Sequence, residues 1–418
     1  FHCFVYMYNY FVLCFFFSSI RRHTIFALVS CARICVSYTV SMNMLISTQW
    51  LYDETGSSII VGLLGIAQLI QMPVVVYGGV MADVSDRKKL MVYTQLVSFL
   101  LLLLLGILAQ NEKLVPWHVF MVIIVTGITS MLGNSSRPAM LPRVIPKKHI
   151  TEAIGLSSAS FQVSSIISPL IFWKAFEYLG PAGAFYIAAS IAFVSVFSPL
   201  MIHASGEAKE TKKEKPINSI KEGYKFIVTH PILPGLYLLD IFVTIVSFYR
   251  NLFPVFSSQL YSKGVEGTGL LNAFNSIGTI FGASIVMYTS KLKNKGQIVL
   301  VATFAYSLFL MLFGINQNLY IGLGLVALLG LTDGVSMVMR QAIVQLTTPD
   351  KLLGRASSAH SFTAMGANHI GHFEVGLLSA LVGAGTTMLL GGIIASIVTL
   401  LFWIFYSSIR NYKYNPKL

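Results

Sequence analysis

Five ionisable residues are set in apolar surroundings. Asp240 lies in "LYLLDIFVTIV", Asp333 and Arg340 in "LLGLTDGVSMVMRQAIV", Glu374 in "GHFEVGLLSALVG" and Arg33 in "LVSCARICVSYTV". An ionisable group near the centre of a bilayer costs about 2.5–3.5 kcal/mol on insertion scales, so its presence asks for a use. Two chemistries suit these residue types. A carboxylate in a low-dielectric cavity can take up and release a proton as its access to water changes. Alternatively, acids and bases can tie helices together as ion pairs or hydrogen bonds. Asp333, Asp240 and Glu374, in that order, are the candidates for proton coupling, with Arg340 and Arg33 on the same transport path. Asp333 and Arg340 are seven residues apart and share one helix face. They are separated by about 10 Å along the axis, so each needs a different partner.

The elements that would position these groups follow from composition. The chain has 418 residues, of which 55% are hydrophobic and only 11% charged, with a mean hydropathy of +0.73. A soluble domain carries about 25% charged residues. Most of this surface must therefore face something other than water. Long, continuous apolar runs without strand alternation fit helices of roughly 20 residues and not barrel strands. The expected class is an all-α polytopic membrane protein. Twelve spans are expected, at about 24–50, 57–80, 90–109, 117–139, 154–178, 182–203, 232–254, 267–289, 297–315, 319–345, 358–382 and 386–408.

Six spans lie before a charged linker, residues 204–231, and six after it. The linker ends in an amphipathic stretch with Ile217, Ile220, Tyr224 and Ile227 at helical spacing, which fits a helix in the interface plane. The expected organisation is an N-terminal six-helix bundle at 24–203, the linker, a C-terminal bundle at 232–408 and a tail at 409–418. The net charge of +13 resides in short loops, so it marks cytoplasmic loops and not a nucleic-acid surface. Arg87, Lys88, Lys89, Arg143, Lys147, the linker lysines, Lys291, Lys293, Lys351, Arg355 and Arg410 fall on one side. That places both ends of the twelve-span core in the cytoplasm. Residues 1–23 form an N-terminal apolar segment of unsettled status: an additional helix, a signal-like segment, or the edge of a fragment or mis-assigned start.

The four cysteines, Cys3, Cys14, Cys31 and Cys35, show neither metal-ligand spacing nor a disulfide framework. His360, His369 and His372 lie on or near span eleven. His369 and His372 read as a hydrogen-bonding pair and not a metal site, and neither a metal nor a cofactor is expected. Arg137 and Arg340 read as caps or bridges at inner helix ends. No G-x-x-x-x-G-K-S/T loop, H-E-x-x-H or G-x-S-x-G motif occurs, so neither direct ATP drive nor enzyme activity is indicated.

Two comparisons relate the halves. "VGLLGIAQLIQ" at 61–71 matches "TGLLNAFNSIG" at 268–278, and "RPAMLPRVIP" at 137–146 matches "RQAIVQLTTP" at 340–349. Between spans two and three the chain reads "GGVMADVSDRKKL" at 78–90, a dense charge cluster between apolar runs. A carboxylate at a helix end can meet a neighbouring helix N-terminus or cations, making a contact that forms in one orientation of the halves and breaks in the other. Alternatively, the cluster is a plain positive-inside anchor. Gly79, Asp83, Arg87 and Lys88 resemble the loop signature of the major facilitator superfamily. The chain departs from it at Val84 and Asp86; the Asp86–Arg87 pair resembles enterobactin-exporter and macrolide-efflux members. "SSRPAMLPRVIPKKHITEAIGLSSA", "GLTDGVSMVMRQAIVQLTTPDKLLGRASSA" and "GHFEVGLLSALVG" extend the resemblance over roughly 24–408. At span five "SSIISPLIFW" departs from the drug-antiporter pattern.

The resemblance implies two pseudo-symmetric bundles rocking about a midplane site, with Gly79, Asp83, Asp86, Arg87 and Lys88 as a conformational latch. It implies efflux of a drug, macrolide or siderophore-like molecule from a bacterial inner membrane by proton antiport. The implied partners are a small molecule, protons and lipid, with the protein a monomer. An uncoupled lipid or metabolite permease, such as a lysophospholipid flippase, and a degenerate permease serving as a scaffold or sensor are the alternatives.

Overall fold

The structure, a computed structural model, describes residues 24–84, 86–144, 150–200, 216–289 and 293–413. The helices in chain order are α1 (Thr24–Thr55), α2 (Ser58–Val84), α3 (Arg87–Gln110), α4 (Pro116–Val144), α5 (Ile150–Leu200), α6 (Pro216–Thr229) and α7 (Leu233–Ser247). A 3₁₀ turn, Arg250–Leu252, leads into α8 (Phe253–Tyr261), α9 (Gly264–Thr289), α10 (Lys295–Ile315), α11 (Leu319–Thr347), α12 (Asp350–Val382), α13 (Ala384–Phe405) and the short α14 (Ser407–Arg410). No strand occurs among the described residues. Eight stretches of the described residues are long and apolar enough to cross a membrane.

Over the described residues the expected spans fall on helix apart from a break in span seven and a few end residues, and three of them are built differently from a simple rod. Spans five and six share α5, interrupted at Gly180, whose φ of 66° lies in the left-handed region that glycine enters without penalty. Pro181 follows it. Span seven is broken after Ser247. Pro254 lies in the first turn of α8, where its missing N–H is no loss. A continuous helix would need that N–H to donate to the carbonyl of Arg250, so proline sets the break. Helix starts carry the expected chemistry elsewhere: the Asn318 side chain accepts from the Tyr320 and Ile321 amides at the head of α11.

Close packing divides the described residues into two compact units. One holds the chain up to Asn43, Pro73–Ser165 and the segment from Ala182; the other holds Met44–Met72, Ile166–Pro181 and the chain from residue 216 onward. The division runs through α1, α2 and α5. In the first unit, Asn43 donates to Thr126 at 3.2 Å and Ser195 donates to Gln95 at 2.8 Å. Leu96, Leu100, Leu104 and Ile107, on one face of α3, are exposed. Such an apolar stripe is the face a helix turns to lipid.

The second unit is joined by small residues. Gly278 and Gly282 of α9 cross Gly330 and Gly334 of α11 so closely that a Cβ on Gly278 would overlap the Ala327 carbonyl. Dispersion between closely approaching backbones holds such crossings where no hydrophobic drive exists between helices. Gly62 of α2 lies against Gly376 of α12, and its repeat counterpart Gly269 lies against Trp173 and the Pro169 carbonyl of α5. The matched sequences at 61–71 and 268–278 thus make matched close approaches.

In α6, Ile227 is buried, as the amphipathic pattern predicts. Tyr224 departs from it, with 69% exposure. The backbone of Gly223 instead lies on the Arg355 side chain, filling the space a larger inward residue would take.

Candidate functional site

Four charged side chains in the second unit form two ion pairs. Asp240, at the middle of α7, takes Arg340 of α11 at 2.5 Å, and both side chains are nearly dry, with 5% and 9% exposure. Thr244, one helical turn onward, also donates to the Asp240 carboxylate at 3.3 Å. The second pair joins Arg250 on the 3₁₀ turn to Asp333 of α11 at 3.2 Å. Here the side chains are 41% and 34% exposed and line a cavity. The order of charge along the chain is the same in both elements, acid then base, and because the two run antiparallel each acid meets the other's base. Each α11 residue thereby gains the separate partner its seven-residue spacing requires.

The break in span seven makes the second pair possible. A continuous helix has its backbone groups satisfied internally and presents side chains only at helical spacing. Interrupting it at Phe248 and Tyr249 lets Arg250 reach Asp333 and the Thr279 hydroxyl of α9, at 3.2 Å, through the same nitrogen. The α9–α11 glycine crossing sets Thr279 beside Asp333: a Cβ on Gly334 would meet the Thr279 backbone. Discontinuous helices at mid-membrane depth are the usual frame for transported ligands.

A cavity of about 160 Å³ opens between these groups. Both ion pairs reach it, as do Phe248, Tyr249, Tyr306, Met337, His360 and Asn368. Its tyrosines are fixed: Asn275 donates to the Tyr249 hydroxyl at 2.6 Å, and Tyr306 donates to the Ser247 carbonyl at 2.9 Å. His360 stacks on Tyr237 with ring centroids 5.2 Å apart, and Tyr237 donates to the Ala356 carbonyl. Two buried polar atoms at this wall, Arg340 Nε and His360 Nδ1, have no partner among the described residues. Chemically, the cavity offers two carboxylates, two permanent cations and aromatic faces. It can hold a polar or charged group of a small molecule and exchange protons with it.

The expected site residues divide. Asp240, Asp333 and Arg340 converge on the cavity. Glu374 does not line it, and its Oε2 is buried without a partner among the described residues. Arg340, expected as a cap or bridge at an inner helix end and as a transport-path charge needing its own partner, bridges α11 to Asp240 of α7. His369 and His372 were expected as a satisfied pair. The His372 Nδ1 lies 3.4 Å from the Asn251 amide nitrogen, but Nε2 of each ring has no partner among the described residues. In the 78–90 loop, Asp86 accepts from the Lys88 and Lys89 amides at 2.9 and 3.3 Å and caps α3. The side chains of Arg33, Gly79, Asp83, Arg87 and Arg137 lie outside the described ones, as do residues 1–23.

Arg250 is the charged cavity residue that sequence reasoning missed. The signal was available: a guanidinium ten residues after Asp240, within the same apolar run. It reads as a span-end cation until the helix is known to break before it.

Comparison with known proteins agrees with this architecture. The chain is 24% identical over 397 residues to "Enterobactin exporter EntS" of Shigella boydii serotype 4 (strain Sb227), covering 93% of this chain and 91% of that one. The Citrobacter koseri protein of the same name is also 24% identical, over 393 residues and equal shares. Among solved structures, a POT family transporter in complex with 5-aminolevulinic acid superposes with a TM-score of 0.75 at 11% identity, over 93% of this chain and 96% of that one. The nucleoside transporter NupG superposes with a TM-score of 0.69 at 13% identity, over 93% and 100%. Residues 29–372 match the profile of the Major Facilitator Superfamily, and with its all-helical frame and apolar helices the chain belongs to that superfamily of membrane transporters.

Proposed function

We propose that this transporter exports a small molecule by alternating access, exchanging it for protons. The observation that carries the reading is the pair of acid–base contacts of unequal exposure around one cavity. A site with one nearly dry pair and one more exposed pair has both a fixed tie and an exchangeable one. Asp333, Asp240 and Glu374 are the proposed coupling acids, with Arg340, Arg250 and Arg33 as counter-charges along the path. The likeness to enterobactin exporters over 93% of the chain supports a drug, macrolide or siderophore-like cargo. In this reading the bundles 24–203 and 232–408 rock in alternating access. The 78–90 loop, with Gly79, Asp83, Asp86, Arg87 and Lys88, latches them on the cytoplasmic side. The protein is a monomer of a bacterial inner membrane with both ends of its core inside.

Efflux of a fluorescent drug or a labelled siderophore from expressing cells tests this, with a protonophore present and absent. Export abolished by the protonophore and weakened in Asp333→Asn, Asp240→Asn or Glu374→Gln supports it. Undiminished coupling in all three variants ends the antiport mechanism. Export that ignores the protonophore indicates an uncoupled permease, and no export of any cargo indicates a scaffold or sensor.

A further inference from the structure

We propose that His360 is the proton-binding partner of the Asp240–Arg340 pair, and that a proton taken up there loosens the tie between α7 and α11. This rests on the transport reading above and, of its three proposed acids, moves the proton from Asp240 alone to the neighbouring imidazole.

The pair by itself is a poor proton carrier. Guanidinium does not surrender its proton in a protein. Protonating Asp240 would leave Arg340 as an uncompensated charge in a nearly dry site. Imidazole is the side chain that changes charge most readily near neutrality, and His360 stands at the wall of the same cavity. It is 8% exposed, and its Nδ1 is buried without a partner among the described residues. The Arg340 Nε, equally buried, is also unpartnered. Two unmet polar atoms beside a cavity of about 160 Å³ mark a place for water, which needs about 10–15 Å³ of such space apiece and several polar neighbours.

The step is simple. An imidazole nitrogen takes a proton from hydronium in the cavity; its N–H bond forms as the hydronium O–H bond breaks, leaving water. The ring then carries a charge beside Asp240, Arg340 and the Tyr237 face. The Tyr237 face, 5.2 Å away, lies within cation–π reach. Asp240 now has two cations to satisfy, and Arg340 gains a like charge as neighbour. The contact that weakens is the one joining α7 to α11. The other charged or titratable groups around the cavity are Tyr249, Arg250, Tyr306 and Asp333. Of these, Arg250 and Asp333 already neutralise one another.

Residue-resolved exchange of the imidazole C2 hydrogen, read by mass spectrometry on the full chain in lipid nanodiscs, tests this without any cargo. His360 should titrate between about pH 5 and 8. Its midpoint should move by about one pH unit in Asp240→Asn, and less in Asp333→Asn. Should Asp240→Asn fail to fold, the Asp240→Asn/Arg340→Gln double variant, which leaves no lone buried charge, replaces it. In export assays His360→Gln, which keeps hydrogen bonding without charge, should flatten the pH profile of the rate. No titration in that window, or a midpoint indifferent to the loss of Asp240, overturns the proposal. A correct titration with no export of any cargo would instead overturn the transport reading and leave the proton site standing.

Discussion

Asp240 and Asp333 carry the same side chain in different surroundings, and the difference predicts their separate consequences. The Asp240–Arg340 pair is nearly dry. Removing one partner from such a pair strands a buried charge and costs about 3–5 kcal/mol, whereas removing both costs far less. Asp240→Asn and Arg340→Gln should each lower the unfolding midpoint in detergent, and the double variant should recover most of the loss in a double-mutant cycle. The Arg250–Asp333 pair is more than a third exposed on average, so solvent screening leaves it worth about 1 kcal/mol or less. Arg250→Gln should therefore leave the midpoint nearly unchanged while export falls. Glu374 presents a third case. Its buried Oε2 has no partner among the described residues, so Glu374→Met should hold or raise the unfolding midpoint. A large loss of stability there would mean that an unseen partner holds the carboxylate.

At the scale of elements, the site depends on how closely helices approach and on how they begin. Gly278 meets the Ala327 backbone so tightly that a methyl group cannot enter without parting α9 from α11. Gly278→Ala should move Thr279 off the Arg250–Asp333 pair and lower both export and the unfolding midpoint. Gly324, on α11 with nothing within 4 Å of its would-be Cβ, is the control. Gly324→Ala gains up to about 1 kcal/mol of helix propensity and should stabilise.

The start of α7 carries a pH-sensitive cap. The Nδ1 of His230 accepts from the Ile232 and Leu233 amides at 3.2 and 3.3 Å, which requires a deprotonated nitrogen. Burial pushes this imidazole below its ordinary 6.5, against a weaker opposing hydrogen bond that the ring donates to the Thr347 carbonyl. With the folded value depressed, the cap is fully present above about pH 6.5 and is lost as pH falls through the lowered value. Protection of the amides at the first turn of α7 should fall on acidification through the lowered imidazole value. In His230→Asn, whose side chain accepts hydrogen bonds at every pH, the loss of protection should disappear.

For the whole molecule, the charge census makes a topological statement. Lysines cluster in loops that the positive-inside rule assigns to the cytoplasm, while Glu112, Lys113 and Glu266 lie at opposite helix ends. Single cysteines at Glu112 and Lys293 in a cysteine-free background, probed with a membrane-impermeant maleimide, should differ. Glu112→Cys should react in intact cells and Lys293→Cys only after permeabilisation. The reverse pattern would turn the 78–90 loop outward and remove the proposed latch. The repeat gives this frame its internal logic: Gly62 and Gly269, seven helices apart in order and equivalent in sequence, each receive a neighbouring helix backbone.

Class, helix placement and the buried acids were legible from the residues alone. Hydrocarbon cannot satisfy backbone polar groups, so long apolar runs fold as helices whatever surrounds them. A charge within such a run must find a use, and Asp240, Asp333 and Arg340 found theirs at one cavity. Which acid meets which base was not legible. It depends on the interruption of span seven before Pro254 and on the glycine crossing that sets α9 against α11. Arg250 enters the site through the first and Thr279 through the second, and His360 through the folding of α12 against α7. Partners separated by tens of residues are chosen by backbone approach, which is a property of packed helices and not of any local pattern.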